Sequence, residues 1–194
     1  MNVRIFILPI VVTLIALLSL FIYLRVDPDS VKLAENDEEV FSLYMEELEQ
    51  LTGVSYGKAK GWNLRILEFI GAPPKIVSFY AAYNPEDMIE GSVRFHTLAH
   101  VLEENFLLFP GMALRKKGYI VFATTLCGDA YCFDLEDLDE NGWPRVVLHS
   151  VDTDYREYSR AEIETVAKPI AENLSHFLKL LLTDRVDQEC LYFP

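Results

Sequence analysis

Basic residues are scarce in this chain. It has 17 lysines and arginines against 30 aspartates and glutamates, which gives a formal net charge of -13 at pH 7. The stretch before the globular part contains equal numbers of both signs, so the globular part keeps the whole acidic excess. Such a surface repels nucleic acid and anionic lipid head groups. The composition therefore excludes nucleic acid as a partner and leaves two explanations: a basic protein partner, or acidic charge that only maintains solubility.

Cysteine is also sparse. The three cysteines, Cys127, Cys132 and Cys190, do not form the even framework of a disulfide-rich secreted domain. Cys127 and Cys132 flank a predicted tight turn, but a structural zinc site needs a second pair of ligands, which the chain lacks. We predict buried strand thiols. A cross-strand disulfide between Cys127 and Cys132 is the alternative if the domain lies outside the cytoplasm.

Motifs of nucleotide binding and nucleophilic catalysis are absent. The sequence contains no P-loop, no GxGxxG and no GxSxG motif. Aspartate and glutamate are so abundant that no carboxylate pair stands out as catalytic. We therefore expect no catalytic residues and no cofactor.

Two histidines have the spacing of a metal-binding pair. His96 and His100 are four residues apart and would share one face of a helix predicted over residues 96–105. A zinc-protease motif would require glutamate where Thr97 stands, so its general base is missing. We expect two ordinary histidines on a partly exposed helix.

A short acidic stretch resembles the first half of a calcium-binding loop, with alternating oxygen ligands and a glycine. It consists of Asp137, Asp139, Asn141 and Gly142. The twelfth position, which should supply a bidentate carboxylate, is Leu148. We therefore expect an acidic turn between strands rather than a calcium site.

One long apolar run is present near the N-terminus. Residues 5–24 carry no charge, lie between Arg4 and Arg25, and include fifteen Leu, Ile, Val or Phe residues. Twenty helical residues extend about 30 Å, the thickness of a bilayer's hydrocarbon core. The run predicts a single transmembrane helix. A cleaved signal peptide would need a shorter apolar region and small residues at its cleavage site, and a buried core helix is rarely this apolar over 18 residues.

The run divides the chain into three parts. We predict a membrane anchor over residues 1–26, a linker over 27–35 and one globular domain over 36–194, a normal size for a single core. Lysine and arginine are nearly balanced on the two flanks of the span, so the side of the membrane stays open.

The first part of the globular domain has a helical pattern. Asn36 is predicted to cap a helix that ends at Gly53. The residues predicted to face the core are Val40, Leu43, Tyr44, Leu48 and Leu51. Glycine and proline separate two further helices, predicted over residues 63–70 and 74–83.

The middle of the chain changes to a strand pattern. Strands are predicted over residues 93–95, 119–125, 131–134 and 145–149. Gly128 and Asp129 are predicted to form a two-residue type II′ hairpin turn. Ser159 and Glu162 fit a capping box, and Pro169 is predicted in the first turn of a final amphipathic helix. The order of elements predicts an α+β domain in which helices flank a small antiparallel sheet.

Three segments resemble the SUKH superfamily, the domain of fungal Smi and Knr cell-wall regulators and of many bacterial toxin-immunity proteins. They are ILEFIGAPPKIVSFYAAYN at 66–84, YIVFATTLCGDAYCFDL at 119–135 and IAENLSHFLKLLL at 170–182. The residues that match the family's motifs are Glu68, Gly71, Pro74, Asn84, Gly128 and Asp129. The resemblance implies a binding module without catalytic residues, which in bacteria commonly neutralises a toxin by occupying its surface.

The resemblance and the charge together predict an immunity-type protein held at a membrane, with a basic toxin domain as its partner. The residues expected to form its acidic binding surface are Glu86, Asp87, Glu90, Asp152, Asp154 and Glu157. Two alternatives stay open: a regulatory or structural protein of the cell envelope, and a membrane-anchored enzyme of unknown class.

Overall fold

The computed structural model describes residues 32–89, 93–183 and 186, which form an α+β fold and confirm the predicted class. The helices are α1 (Glu35–Thr52), α2 (Gly61–Phe69), α3 (Pro74–Ala82), α4 (Leu98–Leu107), α5 (Gly111–Arg115), α6 (Arg160–Val166) and α7 (Leu174–Leu182). The strands are β1 (Tyr56–Gly57), β2 (Asn84–Pro85), β3 (Val93–Phe95), β4 (Tyr119–Thr125), β5 (Ala130–Leu138), β6 (Pro144–His149) and β7 (Lys168–Ala171).

The predicted membrane anchor at 5–24 lies outside the described residues. Within the described ranges, no helix combines the length and apolarity needed to cross a bilayer. Leu33, which belongs to the predicted linker, is buried in the fold.

The main sheet is larger than predicted. Its strands are ordered β3-β4-β5-β6-β7 and all neighbours are antiparallel, while β1 and β2 form a separate two-stranded ribbon. The prediction that Pro169 opens the final helix was wrong, because Pro169 lies in the edge strand β7. An edge strand tolerates proline since the missing N–H needs no ladder partner. The final helix begins at Leu174, and Asn173 caps it by accepting the backbone N–H of His176 at 3.0 Å.

The two faces of the main sheet pack into separate cores, as the alternation of strand side chains requires. On one face, Phe122 stacks on Phe133 with ring centroids 4.0 Å apart and meets Phe177 of α7 at 5.1 Å. This main core extends to α1 and α3, where Phe41 contacts Phe79 at 5.1 Å. The opposite face forms a smaller second core under α5 and α6. Its buried residues are Ala113, Leu114, Tyr119, Val121, Ala130, Cys132, Val147, Tyr155 and Ile163.

The face of α1 that packs on the core was predicted only in part. Leu48 is buried and Tyr44 is partly buried, as predicted, but Val40, Leu43 and Leu51 are exposed, and Phe41 and Met45 are buried instead. The predicted and the observed sets both fit helical spacing, so only the position of the packing partners decides between them. The helix begins one residue before the predicted cap Asn36, and Gly53 ends it at a φ of 72°, as glycine permits.

The β4–β5 hairpin is confirmed, but the predicted two-residue turn was wrong. The backbone N–H of Gly128 donates to the carbonyl of Thr125 at 3.1 Å, and the N–H of Thr125 donates to the carbonyl of Asp129 at 2.8 Å. Three residues therefore form the loop, and Gly128 follows the turn at a φ of 96°. Three-residue hairpin loops commonly place glycine in this left-handed position.

Candidate functional site

The acidic loop between β6 and α6 leaves the sheet at the end that carries the β4–β5 turn. Strand pairing sets His149 opposite Ala130, so residues 150–158 begin beside this turn. Three predicted binding residues, Asp152, Asp154 and Glu157, are exposed in this loop. We call residues 150–158 the acidic loop.

The Gly128–Asp129 pair holds the start of the acidic loop. Oδ1 of Asp129 accepts the backbone N–H of Val151 at 2.9 Å, and the N–H of Asp129 donates to Oγ1 of Thr125 at 3.0 Å. A Cβ on Gly128 would lie 3.6 Å from the Val151 side chain, so the loop packs closely against the turn. These two family-motif residues therefore position the loop rather than forming its exposed surface.

Arg160 holds the other end of the acidic loop. Its guanidinium donates to Asp134, to Glu164 at 3.0 Å and to the carbonyl of Lys117 at 2.8 Å, and it lies 4.1 Å from the ring centre of Tyr119. The predicted capping box of Ser159 is confirmed and starts α6 at this point. Arg160 was not predicted from the sequence, because its partners lie 26 and 43 residues away along the chain.

The underside of the acidic loop is anchored by aromatic rings. Tyr155 is buried with its ring centroid 5.3 Å from that of His149, and Tyr119 lies 4.7 Å from the other side of His149. Neither nitrogen of His149 has a hydrogen-bond partner among the described residues. Burial lowers the pKa of His149 to about 4, with Arg160 acting in the same direction and Asp134 opposing it.

Within the exposed part of the loop, one carboxylate has an intramolecular partner. Arg156 Nε donates to Oδ1 of Asp154 at 2.8 Å, and this hydrogen bond lowers the pKa of Asp154 to about 2. Asp152 and Glu157 are exposed without such a partner among the described contacts. The loop therefore presents three exposed carboxyl groups, and that of Asp154 is ionised at neutral pH.

The remaining predicted binding residues lie elsewhere. Ile89 pairs antiparallel with Phe95, which directs Glu86 and Asp87 away from the β4–β5 turn. The backbone N–H of Glu86 donates to the carbonyl of Ser55 at 2.9 Å, next to the β1–β2 ribbon. Glu90 lies outside the described residues. The structure thus brings Asp152, Asp154 and Glu157 together and places Glu86 and Asp87 on another element.

The other family-motif residues also have structural contacts. Glu68 pairs with Arg65 at 2.8 Å, Gly71 adopts a φ of 93°, and Pro74 is the first residue of α3. Oδ1 of Asn84 accepts the backbone N–H of Leu98 at 2.7 Å and so caps the start of α4.

The histidine pair does not share a helix face as predicted, because His96 precedes α4. The helix begins at Leu98, with Thr97 accepting the backbone N–H of His100 at 3.2 Å. His96 is buried with Nε2 3.3 Å from Oγ1 of Thr124, and burial lowers its pKa to about 4. No cluster of three metal-ligand side chains occurs in the part of the chain that the structure describes.

The calcium-like stretch forms a turn between β5 and β6. Oδ1 of Asp139 accepts the backbone N–H groups of Asn141 and Trp143, both at 2.9 Å. Cys127 and Cys132 are both free thiols, but the prediction of buried strand thiols is confirmed only for Cys132 in β5 and was wrong for Cys127, which is exposed because it lies in the β4–β5 turn. Cys190 lies outside the described residues.

A second surface feature was also missed from sequence. Trp62 and Phe69 of α2 and Leu107 of α4 are 50%, 85% and 71% exposed, and they border an apolar groove between the two helices. Because Leu64 and Leu67 face the core, Trp62, Ile66 and Phe69 form a separate stripe along the outer side of α2. This second apolar stripe at helical spacing could have predicted the groove from the sequence.

Comparison with known protein families gives a match. The model of the SMI1 / KNR4 family (SUKH-1) matches residues 66–180, which is more than half of the chain. The matched region runs from α2 into α7 and includes the acidic loop and the part of the apolar groove that follows Asn63. No curated protein matches the chain.

Proposed function

Because the chain belongs to the SMI1/KNR4 family (SUKH-1), we propose that it is a non-enzymatic protein-binding module of the immunity type, which neutralises a toxin by occupying its surface. The acidic loop is the proposed binding surface and a basic toxin domain is the proposed partner. The observation that carries this proposal is the construction of the loop: both ends are held by hydrogen bonds while its carboxylates remain exposed.

A loop held in this way suits recognition of a basic partner. Exposed carboxylates attract a basic surface before contact, and the fixed loop ends reduce the entropy lost when the partner binds. The net charge of -13 extends this attraction over the molecule. Since exposed charges are screened beyond about 8 Å at physiological ionic strength, association should slow as salt is added.

The decisive experiment is co-expression with the toxin encoded beside this gene. The chain should rescue cells from that toxin and fail to rescue them from unrelated toxins. Asp152→Lys combined with Asp154→Lys should weaken binding mainly through a slower association rate. Exposed loop residues contribute little to stability, so the melting temperature should change little.

The matched control reverses two exposed carboxylates of α1, Glu39 and Glu47, to lysine. This variant has the same net charge as the loop variant but leaves the acidic loop intact. A similar loss in both variants would mean that overall charge, rather than the loop, recognises the toxin. If no toxin is encoded nearby, or if deletion leaves cells insensitive to it, the immunity function is wrong and an envelope role becomes the better explanation.

Residues 5–24 supply a membrane anchor in this proposal, residues 27–35 a linker, and residues 36–194 the binding domain. The support is the uncharged apolar run and the absence of a small-residue cleavage site after it. Membranes washed with alkaline carbonate should retain the full chain, whereas a chain starting at Ser30 should be released. Recovery of a mature protein that begins just after Leu24 would show a cleaved signal peptide instead.

A further inference from the structure

An exposed apolar groove lies between α2 and α4, on different elements from the acidic loop. It has a volume of about 480 Å³ and carries almost no polar lining. The residues that line it are Trp62, Asn63, Ile66, Phe69, Ala99, Leu102, Glu103, Phe106 and Leu107. Exposed apolar patches of this kind often mark interaction sites.

The walls of the groove have the geometry that receives a third helix. Trp62, Ile66 and Phe69 recur along α2 at intervals of four and three residues, and Leu102 and Phe106 recur along α4 at an interval of four. Two facing helical stripes leave between them a channel for the apolar side chains of another helix. Because α2 has nine residues and rises about 1.5 Å per residue, the channel accommodates two to three helical turns.

Contacts on the buried sides of α2 and α4 fix the positions of both helices. Asn105, on the buried side of α4, donates to the carbonyl of Val121 at 2.8 Å and accepts its backbone N–H at 3.0 Å. On α2, Leu64 and Leu67 are fully buried in the main core. The groove is therefore preformed, which lowers the entropic cost of filling it.

The charges beside the groove indicate which charged residues a binding partner should carry. Glu103 on α4 lines the groove, and its side chain is about half exposed, whereas Glu68 on α2 pairs with Arg65 and is not a lining residue. The Glu103 carboxylate lies 3.8 Å from the imidazole of His100. Together with the net charge of -13, this carboxylate favours basic flanks on whatever lies in the groove.

We propose that the α2–α4 groove binds an amphipathic helix of a partner protein, with an apolar face of two to three turns and lysine or arginine on its flanks. The proposal goes beyond the proposed function, because the groove and the acidic loop belong to different elements and neither needs the other. A second copy of this chain, or a lipid surface, are the competing occupants that the experiment must separate.

The probe is a labelled 14-residue helix of leucine and lysine, with leucines spaced for one apolar face and a photoreactive phenylalanine within that face. Its affinity for the full-length chain in phosphatidylcholine nanodiscs is measured by fluorescence anisotropy, and its cross-linked position by mass spectrometry. The peptide should cross-link to α2 and α4. An isomer with the same composition but scattered leucines, and a leucine–glutamate analogue, should each bind at least tenfold more weakly.

Two exposed leucines provide a matched pair of variants. Leu107→Asp should weaken binding at least tenfold, whereas Leu126→Asp in the β4–β5 turn, where the leucine is 61% exposed, should leave it within twofold. If Leu107→Asp does not fold, Phe69→Asp provides the same test, since Phe69 is 85% exposed.

Five results would overturn the proposal. The first four are cross-links outside the groove, equal binding of the scattered isomer or of the glutamate analogue, no effect of the groove variants, and a dimer that Leu107→Asp dissociates. Cross-linking of the groove residues to lipid in the absence of peptide would assign the groove to the bilayer and equally overturn it. The experiment uses no toxin, so its failure leaves the toxin-rescue test unaffected.

Discussion

The two faces of the main sheet differ in chemistry. The main core is built from aromatic rings and aliphatic side chains, as in the stack of Phe122 on Phe133, and includes Tyr80, Tyr131 and Trp143. The second core also buries polar and charged groups: His149 without a hydrogen-bond partner among the described residues, and Asp134 paired with Arg160. The apolar face thus provides stability over a wide pH range, whereas the polar face couples stability to protonation and carries the acidic loop.

This difference shows how an exposed acidic loop is attached to a small domain. The acidic loop does not depend on the main core for its position. It is held by Asp129, by the Tyr155–His149 contact and by Arg160, all of which lie at the second core or at its edge. Three substitutions test this comparison, in order of decreasing effect.

Phe122→Ala should have the largest effect. Removing the ring leaves a cavity beneath Phe133 and Phe177, and phenylalanine-to-alanine changes in a core cost about 3 to 5 kcal/mol. Urea unfolding should show this loss at every pH between 5 and 8. Leu126→Ala, at an exposed position, is the control and should change the free energy of unfolding by less than about 0.5 kcal/mol. An equal loss in both variants would contradict the assignment of the main core.

Acidification should destabilise the second core. The pKa of His149 is lowered from 6.5 to about 4, so between these values the unfolded chain binds a proton that the folded chain excludes. Stability therefore falls as pH falls through this window, by about 3 kcal/mol for His149 when the window is fully crossed. His96 adds a similar effect, since burial lowers its pKa to about 4 as well.

Urea unfolding at pH 7, 6 and 5 measures this dependence. His149→Phe keeps an aromatic ring between the two tyrosines and should remove about half of the pH-dependent loss. The exposed His176, changed to phenylalanine, is the control and should leave the slope unchanged. A slope that His149→Phe does not alter would show that other groups determine the acid sensitivity.

Asp129→Ala should have the smallest effect on global stability. It removes the acceptor for the Val151 N–H, and one such hydrogen bond contributes about 1 kcal/mol. Hydrogen exchange of the Val151 amide should accelerate, while amides of the main core keep their protection. Asp129→Asn retains an oxygen acceptor and should stay closer to the wild type. Faster exchange throughout the sheet would show that the turn supports more than the loop.

Local signals in the sequence predicted much of the fold. The capping box at Ser159, the end of α1 at Gly53 and the start of α3 at Pro74 were predicted correctly, since each depends on residues within one turn. The β4–β5 hairpin was also predicted, although its loop length was not. The family resemblance identified the domain. The residues that match the family's motifs lie at turns and helix ends, which depend on neighbouring residues in the sequence.

The candidate site was predicted only in part. Asp152, Asp154 and Glu157 were recognised as an acidic loop, yet nothing in the sequence separates them from Glu86 and Asp87, which the Ile89–Phe95 pairing directs elsewhere.

The sequence by itself determined the class of the domain, its charge, the capping box at Ser159, the helix end at Gly53 and the apolar run that precedes the domain. Tertiary structure decided which stripe of α1 is buried, that Pro169 joins the sheet, that Arg160 meets Asp134 and Lys117, and that α2 and α4 leave a groove. The physical reason is the distance along the sequence between the residues that interact. Caps and turns are determined by hydrogen bonds within a few residues, whereas a buried face, a strand partner or an ion pair depends on contacts formed only when distant segments pack.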